Sequence, residues 1–112
     1  AHFDQYDNIF LQVRGCKRML LLDPRAGARG LRPFPVHHPY DQRARVDLER
    51  QGRLPEELQG AGVEVLLKPG EAVYIPSHWW HHVEAASPSI SVNFWLDTVT
   101  PRLLSPPVQL RP

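Results

Sequence analysis

The residues best suited to chemistry fall in two widely separated places. His2 and Asp4 form a His-x-Asp pair, and "HWWHH" (His78–His82) gathers three of the six histidines and two of the three tryptophans into five positions. On an extended strand residues i and i+2 share a face, so His2 and Asp4 can converge on one ion while Phe3 points away. A neutral imidazole and a carboxylate suit a divalent transition metal, and a histidine of "HWWHH" is the obvious third donor. Two histidines and one carboxylate on one face leave coordination positions open, as in non-haem Fe(II) oxygenases. His81 and His82 are adjacent, so only one faces such a pocket, and strand geometry does not choose between them. His78, after Pro76 and Ser77, suits the start of a strand. The plainer alternatives are a polar surface pair at His2 and Asp4, and a core strand capped by exposed imidazoles at 78–82.

Two further places bear on a ligand. In "SISVNFWLD" Ile90, Val92, Phe94 and Leu96 share one face and Ser91, Asn93 and Trp95 the other. Both faces are expected to be buried, which gives the strand a buried amide that must find a hydrogen-bond partner. A partly polar interior face fits a barrel with a ligand cavity; an Asn93 satisfied by neighbouring backbone fits equally well. Lys17, just after a turn, is either a solvated lysine or a point charge for a small dicarboxylate.

The elements that must position these residues read as β-structure. "NIFLQV" (Asn8–Val13) and "RMLLLDP" read as a hairpin turning near Gly15. From Arg25 to Gln59 the chain is rich in Gly, Pro, Arg and Asp, with "PFPVHHPYD" too proline-broken for regular structure and "DLERQGRLPEEL" suited to a short helical turn or two. "VEVLL" (Val63–Leu67) and "AVYIP" (Ala72–Pro76) are strands, joined by "KPGE", whose Pro69 and Gly70 match a type II turn. "WWHHVEA" and "SISVNFWLD" complete the set. Several short strands, turns and little helix predict an all-β sandwich or barrel.

Composition sets the limits. At 112 residues there is room for one core, and 42% hydrophobic with 22% charged residues describes a globular domain. A net charge of +1 gives no field that would select nucleic acid or an anionic membrane. No run approaches the ~20 apolar residues of a membrane span. Cys16 is the only cysteine, so no internal disulfide argues for secretion, and a cytoplasmic or nuclear setting is the expectation. The chain opens at "AHFD" with no Met, so it reads as a partial domain lacking its opening strands. The His2–Asp4 strand is therefore expected to have an unpaired neighbouring edge.

Taken together, "AHFDQYDNIFLQVRGCKR", "PVHHPYD", "KPGEAVYIPSHWWHHVE" and "SVNFW" resemble the JmjC family of Fe(II)- and 2-oxoglutarate-dependent oxygenases. Within it the pattern is most similar to the asparaginyl hydroxylases that act on the hypoxia-inducible factor. The resemblance runs from His2 to about Asp97 and implies a double-stranded β-helix, a cupin-like jelly roll of roughly eight strands. It makes His2, Asp4 and His81 the iron ligands. It gives Lys17 the far carboxylate of 2-oxoglutarate, and sets Asn8 and Asn93 around that cosubstrate and an iron-bound water. It puts Trp95 on the substrate side, where Gln42 and Arg43 stand in reversed order to the family's substrate-contacting Arg-Gln pair. A family threonine that helps hold 2-oxoglutarate is expected just upstream of Ala1, and the dimerising helices of the hydroxylase beyond Pro112.

The resemblance thus implies a dioxygenase using Fe(II), 2-oxoglutarate and O₂ to hydroxylate a side chain of a protein or peptide substrate. No nucleic-acid or membrane partner is implied; an oligomer is possible in a longer protein. The alternatives are another JmjC activity, lysyl hydroxylation or demethylation, and a catalytically inactive cupin-type binding module.

Overall fold

The computed structural model describes residues 1–97 and 107–112. Seven strands run through them: β1 (Asp7–Arg14), β2 (Lys17–Leu22), β3 (Val63–Leu67), β4 (Ala72–Ile75), β5 (Trp80–Ala85), β6 (Ile90–Leu96) and β7 (Val108–Leu110). They form two antiparallel sheets, ordered β6-β1-β4-β7 and β3-β2-β5. Of the strands consecutive in the chain, only β2 and β3 are sheet neighbours. That alternation between sheets is the all-β jelly roll that the resemblance implies.

Alternation along the strands builds the core between the sheets. Met19, Leu21, Val65 and Leu67 of one sheet meet Phe10, Val73 and Ile75 of the other, closed by Trp79. Each such buried side chain contributes ~1.5–3 kcal/mol relative to exposure. A second cluster lies on the outer face of β3-β2-β5, where Leu31, Leu48 and Leu58 of the long 23–62 connection pack on Leu22 and Trp80. The two tryptophans of "HWWHH" therefore serve different clusters, Trp79 the core between the sheets and Trp80 the outer one. The connection also holds a turn of π-helix (Gly27–Leu31) and a short α1 (Leu48–Gln51), N-capped by the Asp47 side chain accepting from Arg50 N–H at 3.1 Å. The "KPGE" turn closes as expected: Glu71 N–H donates to the Lys68 carbonyl at 3.0 Å, with Gly70 at φ +86°.

Three expectations need correction. The chain does not form a hairpin at Gly15; β1 and β2 belong to different sheets, because both edges of β1 are already taken by β4 and β6. A register shift falls between Gln12 and Arg14, and the buried Gln12 amide donates to the carbonyls of Arg14 (2.7 Å) and Gly15 (2.9 Å), turning the chain off the sheet. Gly15 sits at φ +69°, and a Cβ there would collide with the Pro88 carbonyl oxygen. So glycine is required at this corner.

The second correction concerns β6. Neither of its faces is buried: Phe94 is 51% and Trp95 61% exposed, and Asn93 is exposed too. As an edge strand β6 has a single neighbour, β1, and no layer covers it among the described residues.

Third, the extended segment that carries His2, outside the seven strands, is bridged on both edges at His2. His2 N–H donates to the His81 carbonyl (3.1 Å) and His81 N–H to that of His2 (2.8 Å). On the other edge Phe3 N–H donates to Gln42 (3.0 Å) and Ala44 N–H to Ala1 (2.9 Å). The long connection returns to supply that neighbour, which proline content along 33–39 had concealed. β7 was not foreseen; the residues before it in "RLLSPPVQLRP" lie outside the described set. No helix of the described residues is long and apolar enough to cross a membrane.

Candidate metal centre

Strand register brings the two distant motifs together. His81 on β5 stands opposite Leu21 of β2 on one side and opposite His2 on the other, and His2 in turn stands opposite Arg43. Opposed residues of antiparallel strands share a face, so Leu21, His81, His2 and Arg43 form one row on the inner face. His82, the next residue along, points outward with Leu20 as its β2 partner. Asp4, two residues from His2, joins the inner face.

Ligand atoms of His2, Asp4 and His81 lie within 4.8 Å of one another. His2 Nε2 is 3.9 Å from Asp4 Oδ1, and His81 Nε2 is 3.5 Å from Asp4 Oδ2. The two imidazole rings meet edge to face, centroids 4.2 Å apart. His81 is 5% exposed, and its Nδ1 lies 3.0 Å from the Trp79 carbonyl oxygen. A carbonyl only accepts, so Nδ1 carries the proton and Nε2 offers its lone pair toward the Asp4 carboxylate. Two electron-rich atoms then face each other with no proton between them. A cation held by both relieves that repulsion, and an orienting bond on the far ring nitrogen is what a metal-bound histidine ordinarily has.

Electrostatics favour the same form. Partial burial, then the neighbouring His81 ring, pushes the half-exposed His2 imidazole down to about 4, against the opposing pull of Asp4. Burial lowers His81 as well, outweighing the Trp79 hydrogen bond and Asp4. Both rings are neutral near pH 7, the state in which imidazole binds a metal. The backbone holds Asp4 in place through its carbonyl, which accepts from His78 N–H at 2.7 Å. His78 precedes β5, as expected for the start of a strand, with its backbone in the left-handed region at φ +65°.

Lys17, Asn8, Asn93 and Trp95 are distributed along the inner face. Lys17 stands in register with Ala85 at the far end of β2, on the same inner face as Met19 and Leu21. Its Nζ lies 5.1 Å from the Phe10 ring centroid, and no carboxylate pairs with it among the described residues. Four residues of strand separate Lys17 from the Leu21–His81 row, roughly 13 Å. The Asn8 amide nitrogen donates to Asn93 Oδ1 at 3.1 Å, joining β1 to β6, while Asn8 Oδ1 is buried with no donor. Trp95 is in register with Asn8 and so shares its face. A half-buried, unpaired ammonium suits an anion, and an orphaned buried amide oxygen suits a bound water. Gln42 and Arg43 line a cavity of about 400 Å³ with His2 and Phe3.

A second cavity, about 390 Å³, lies on the outer face between β2, β5 and the 48–62 segment, with His82, Glu84 and Leu20 in its lining. His82 there bonds Glu84 at 3.1 Å and takes no part in the inner cluster. Sequence reasoning missed the role of the Trp79 carbonyl, which no side-chain pattern encodes. It also missed Phe34, Tyr40 and Arg45 beside Arg43, although "PFPVHHPYDQRAR" signals an aromatic and basic loop.

A family model described as a cupin-like domain matches residues 1–101. The chain is 35% identical over 96 residues to "Jumonji C domain-containing protein 5" of Drosophila melanogaster, covering 84% of this chain and 23% of that protein. It is 32% identical over 109 residues to human "HSPB1-associated protein 1", covering 87% and 21%. It is 31% identical over 100 residues to "Lysine-specific demethylase JMJ31" of Arabidopsis thaliana, covering 85% and 18%. The chain thus spans less than a quarter of the length of these relatives.

Proposed function

The chain belongs to the cupin-like domain family, and from that premise we propose that it is the metal-holding core of an Fe(II)- and 2-oxoglutarate-dependent dioxygenase. His2, Asp4 and His81 would be the iron ligands. The observation that carries this is the convergence of one carboxylate and two neutral imidazoles, with His81 Nε2 turned to Asp4 by the Trp79 carbonyl. Relatives bearing JmjC names support the oxygenase class. Bound Fe(II) with 2-oxoglutarate and O₂ supplies the oxidising power needed at an unactivated C–H bond.

The chain's own residues would bind and orient. Lys17 receives the far carboxylate of 2-oxoglutarate in a charge-assisted hydrogen bond, and the Phe10 ring beneath it keeps water from that face. Asn8 and Asn93 hold the nearer end and its water. Trp95, Gln42 and Arg43 border the acceptor. The neutral His2 and His81 rings keep their electron pairs for the metal down to mildly acidic pH.

The acceptor would be a protein side chain, with asparagine the first candidate from the resemblance of "PVHHPYD" and "SVNFW" to asparaginyl hydroxylases. A methylated lysine is the second, favoured by the relative named as a lysine-specific demethylase. A protein partner agrees with the relative named as HSPB1-associated. Anaerobic addition of Fe(II) and then 2-oxoglutarate to the full chain should give a visible charge-transfer band. Asparaginyl and trimethyl-lysyl peptides should then be compared for succinate release. A chain that forms no band and releases no succinate with either peptide is the inactive binding module.

A further inference from the structure

The return of the long connection places more than a strand edge beside the metal centre. Pro33 pairs with Ala44, so Phe34, Arg43 and Arg45 share the face opposite Ala44, which packs on the outer cluster. That shared face also carries His2, because His2 pairs with Arg43. Arg43 therefore stands about 5 Å from His2 across one strand, and Arg45 about 7 Å further along. The pairing is antiparallel, so Arg45 lies on the side of His2 away from Asp4.

Both guanidinium groups rest on aromatic rings. Arg43 lies 5.7 Å from the Tyr40 centroid and Arg45 5.5 Å from that of Phe34, itself stacked on His38 at 4.6 Å. Stacking fixes a guanidinium's plane and leaves its N–H edges free. Neither arginine takes part in an ion pair or side-chain hydrogen bond among the described residues. The local carboxylates are occupied by backbone. Asp41 accepts from the N–H groups of His37 and Gln42, and Asp47 caps α1. Two ring-stacked guanidinium forks with no ion pair among the described residues thus lie on the face that His2 shares, and Arg43 lines the cavity beside it.

We infer that the 34–45 loop is a recognition surface for acidic peptide, with Arg43 and Arg45 as its specificity-determining residues. A guanidinium fork matches a carboxylate in two parallel hydrogen bonds. Nucleic acid is the poorer fit: the net charge is only +1, and the Phe34 ring already has a guanidinium and a stacked imidazole against it. The inference rests on the proposed centre only in making that peptide the oxygenase substrate, with an Asp or Glu flanking the residue that reacts.

The test is fluorescence anisotropy with the metal-free full chain at low salt. A labelled Asp/Glu-rich peptide is compared with its Gln-substituted counterpart and with a labelled oligouridylate. The acidic peptide should bind more tightly than the neutral one. That preference should fall about fivefold to tenfold in Arg43→Gln/Arg45→Gln, as two exposed charge pairs allow. The variant Arg43→Lys/Arg45→Lys should keep part of it, since charge survives and the fork does not. Equal affinities for the two peptides, or an unchanged preference in the Gln variant, overturn the inference. Tighter binding of the oligouridylate overturns it in favour of nucleic acid. A visible iron band with equal peptide affinities removes this inference alone; peptide preference without the band removes the oxygenase reading alone.

Discussion

His81 and His82 are neighbours in the chain yet belong to different environments. One is buried beside Asp4 with its Nδ1 on the Trp79 carbonyl, and the other faces outward, bonded to Glu84. Substitution should separate them cleanly. His81→Ala should abolish Fe(II) or Co(II) binding measured by anaerobic spectrophotometric titration, and His82→Ala should leave it within about twofold, since it lacks contact with the cluster. Retention of binding in His81→Ala would return the cluster to a polar surface pair.

Lys17→Ala should weaken 2-oxoglutarate binding without altering the metal. A charge-assisted bond is worth ~1.5–3 kcal/mol, roughly one to two powers of ten in affinity. Calorimetric titration of 2-oxoglutarate into Mn(II)-loaded protein measures it. An unchanged dissociation constant would mean that Lys17 serves only the Phe10 contact.

The metal-free chain should lose stability in mild acid. His2 falls to about 4 from an ordinary 6.5, and His81 is lowered too, so between those values the unfolded chain binds more protons than the folded one. Stability contributed by the neutral rings is complete above 6.5, declines as pH falls through the window, and levels off below about 4. Thermal melts across that range should show a falling midpoint. A flat profile would mean that both rings protonate freely in the fold.

Gly15→Ala should destabilise more than Gly52→Ala. Both positions have positive φ, +69° and +66°, but only at Gly15 would the new methyl strike a neighbour, the Pro88 carbonyl. The left-handed conformation alone costs ~1–2 kcal/mol, and the collision at Gly15 adds a shift of the β1–β2 corner. Comparison of the two melting midpoints decides it, and equal losses would show that the corner relaxes freely.

Much of this arrangement was legible from residue order. Alternation in "VEVLL" and "AVYIP" reports a strand with one buried face, and Gly70 after Pro69 reports a turn, because both are local constraints. The choice of His81 over His82 was not local. It depends on which face of β5 turns toward the other sheet, and the registers Leu21↔His81 and His2↔His81 decide that. Burial of β6 was overread for a related reason. Apolar residues on both faces say that a strand is suited to being covered, without saying what covers it. The pairing of His2 with 42–44 was invisible because backbone hydrogen bonds carry no residue signature, and the prolines nearby argued against any strand.

That same pairing has a consequence for how such a domain can diverge. The backbone that presents Arg43 is also the neighbour that holds the His2 strand straight, through the Phe3–Gln42 and Ala44–Ala1 bonds. Lengthening or shortening the chain between Gln42 and Ala44 would slip that register and rotate His2 away from Asp4 and His81, whatever it did for recognition. New preferences can therefore be acquired by exchanging side chains at Phe34, Tyr40, Arg43 and Arg45, or by insertions before Pro33. The three residues beside His2 are fixed in number even where they are free in kind.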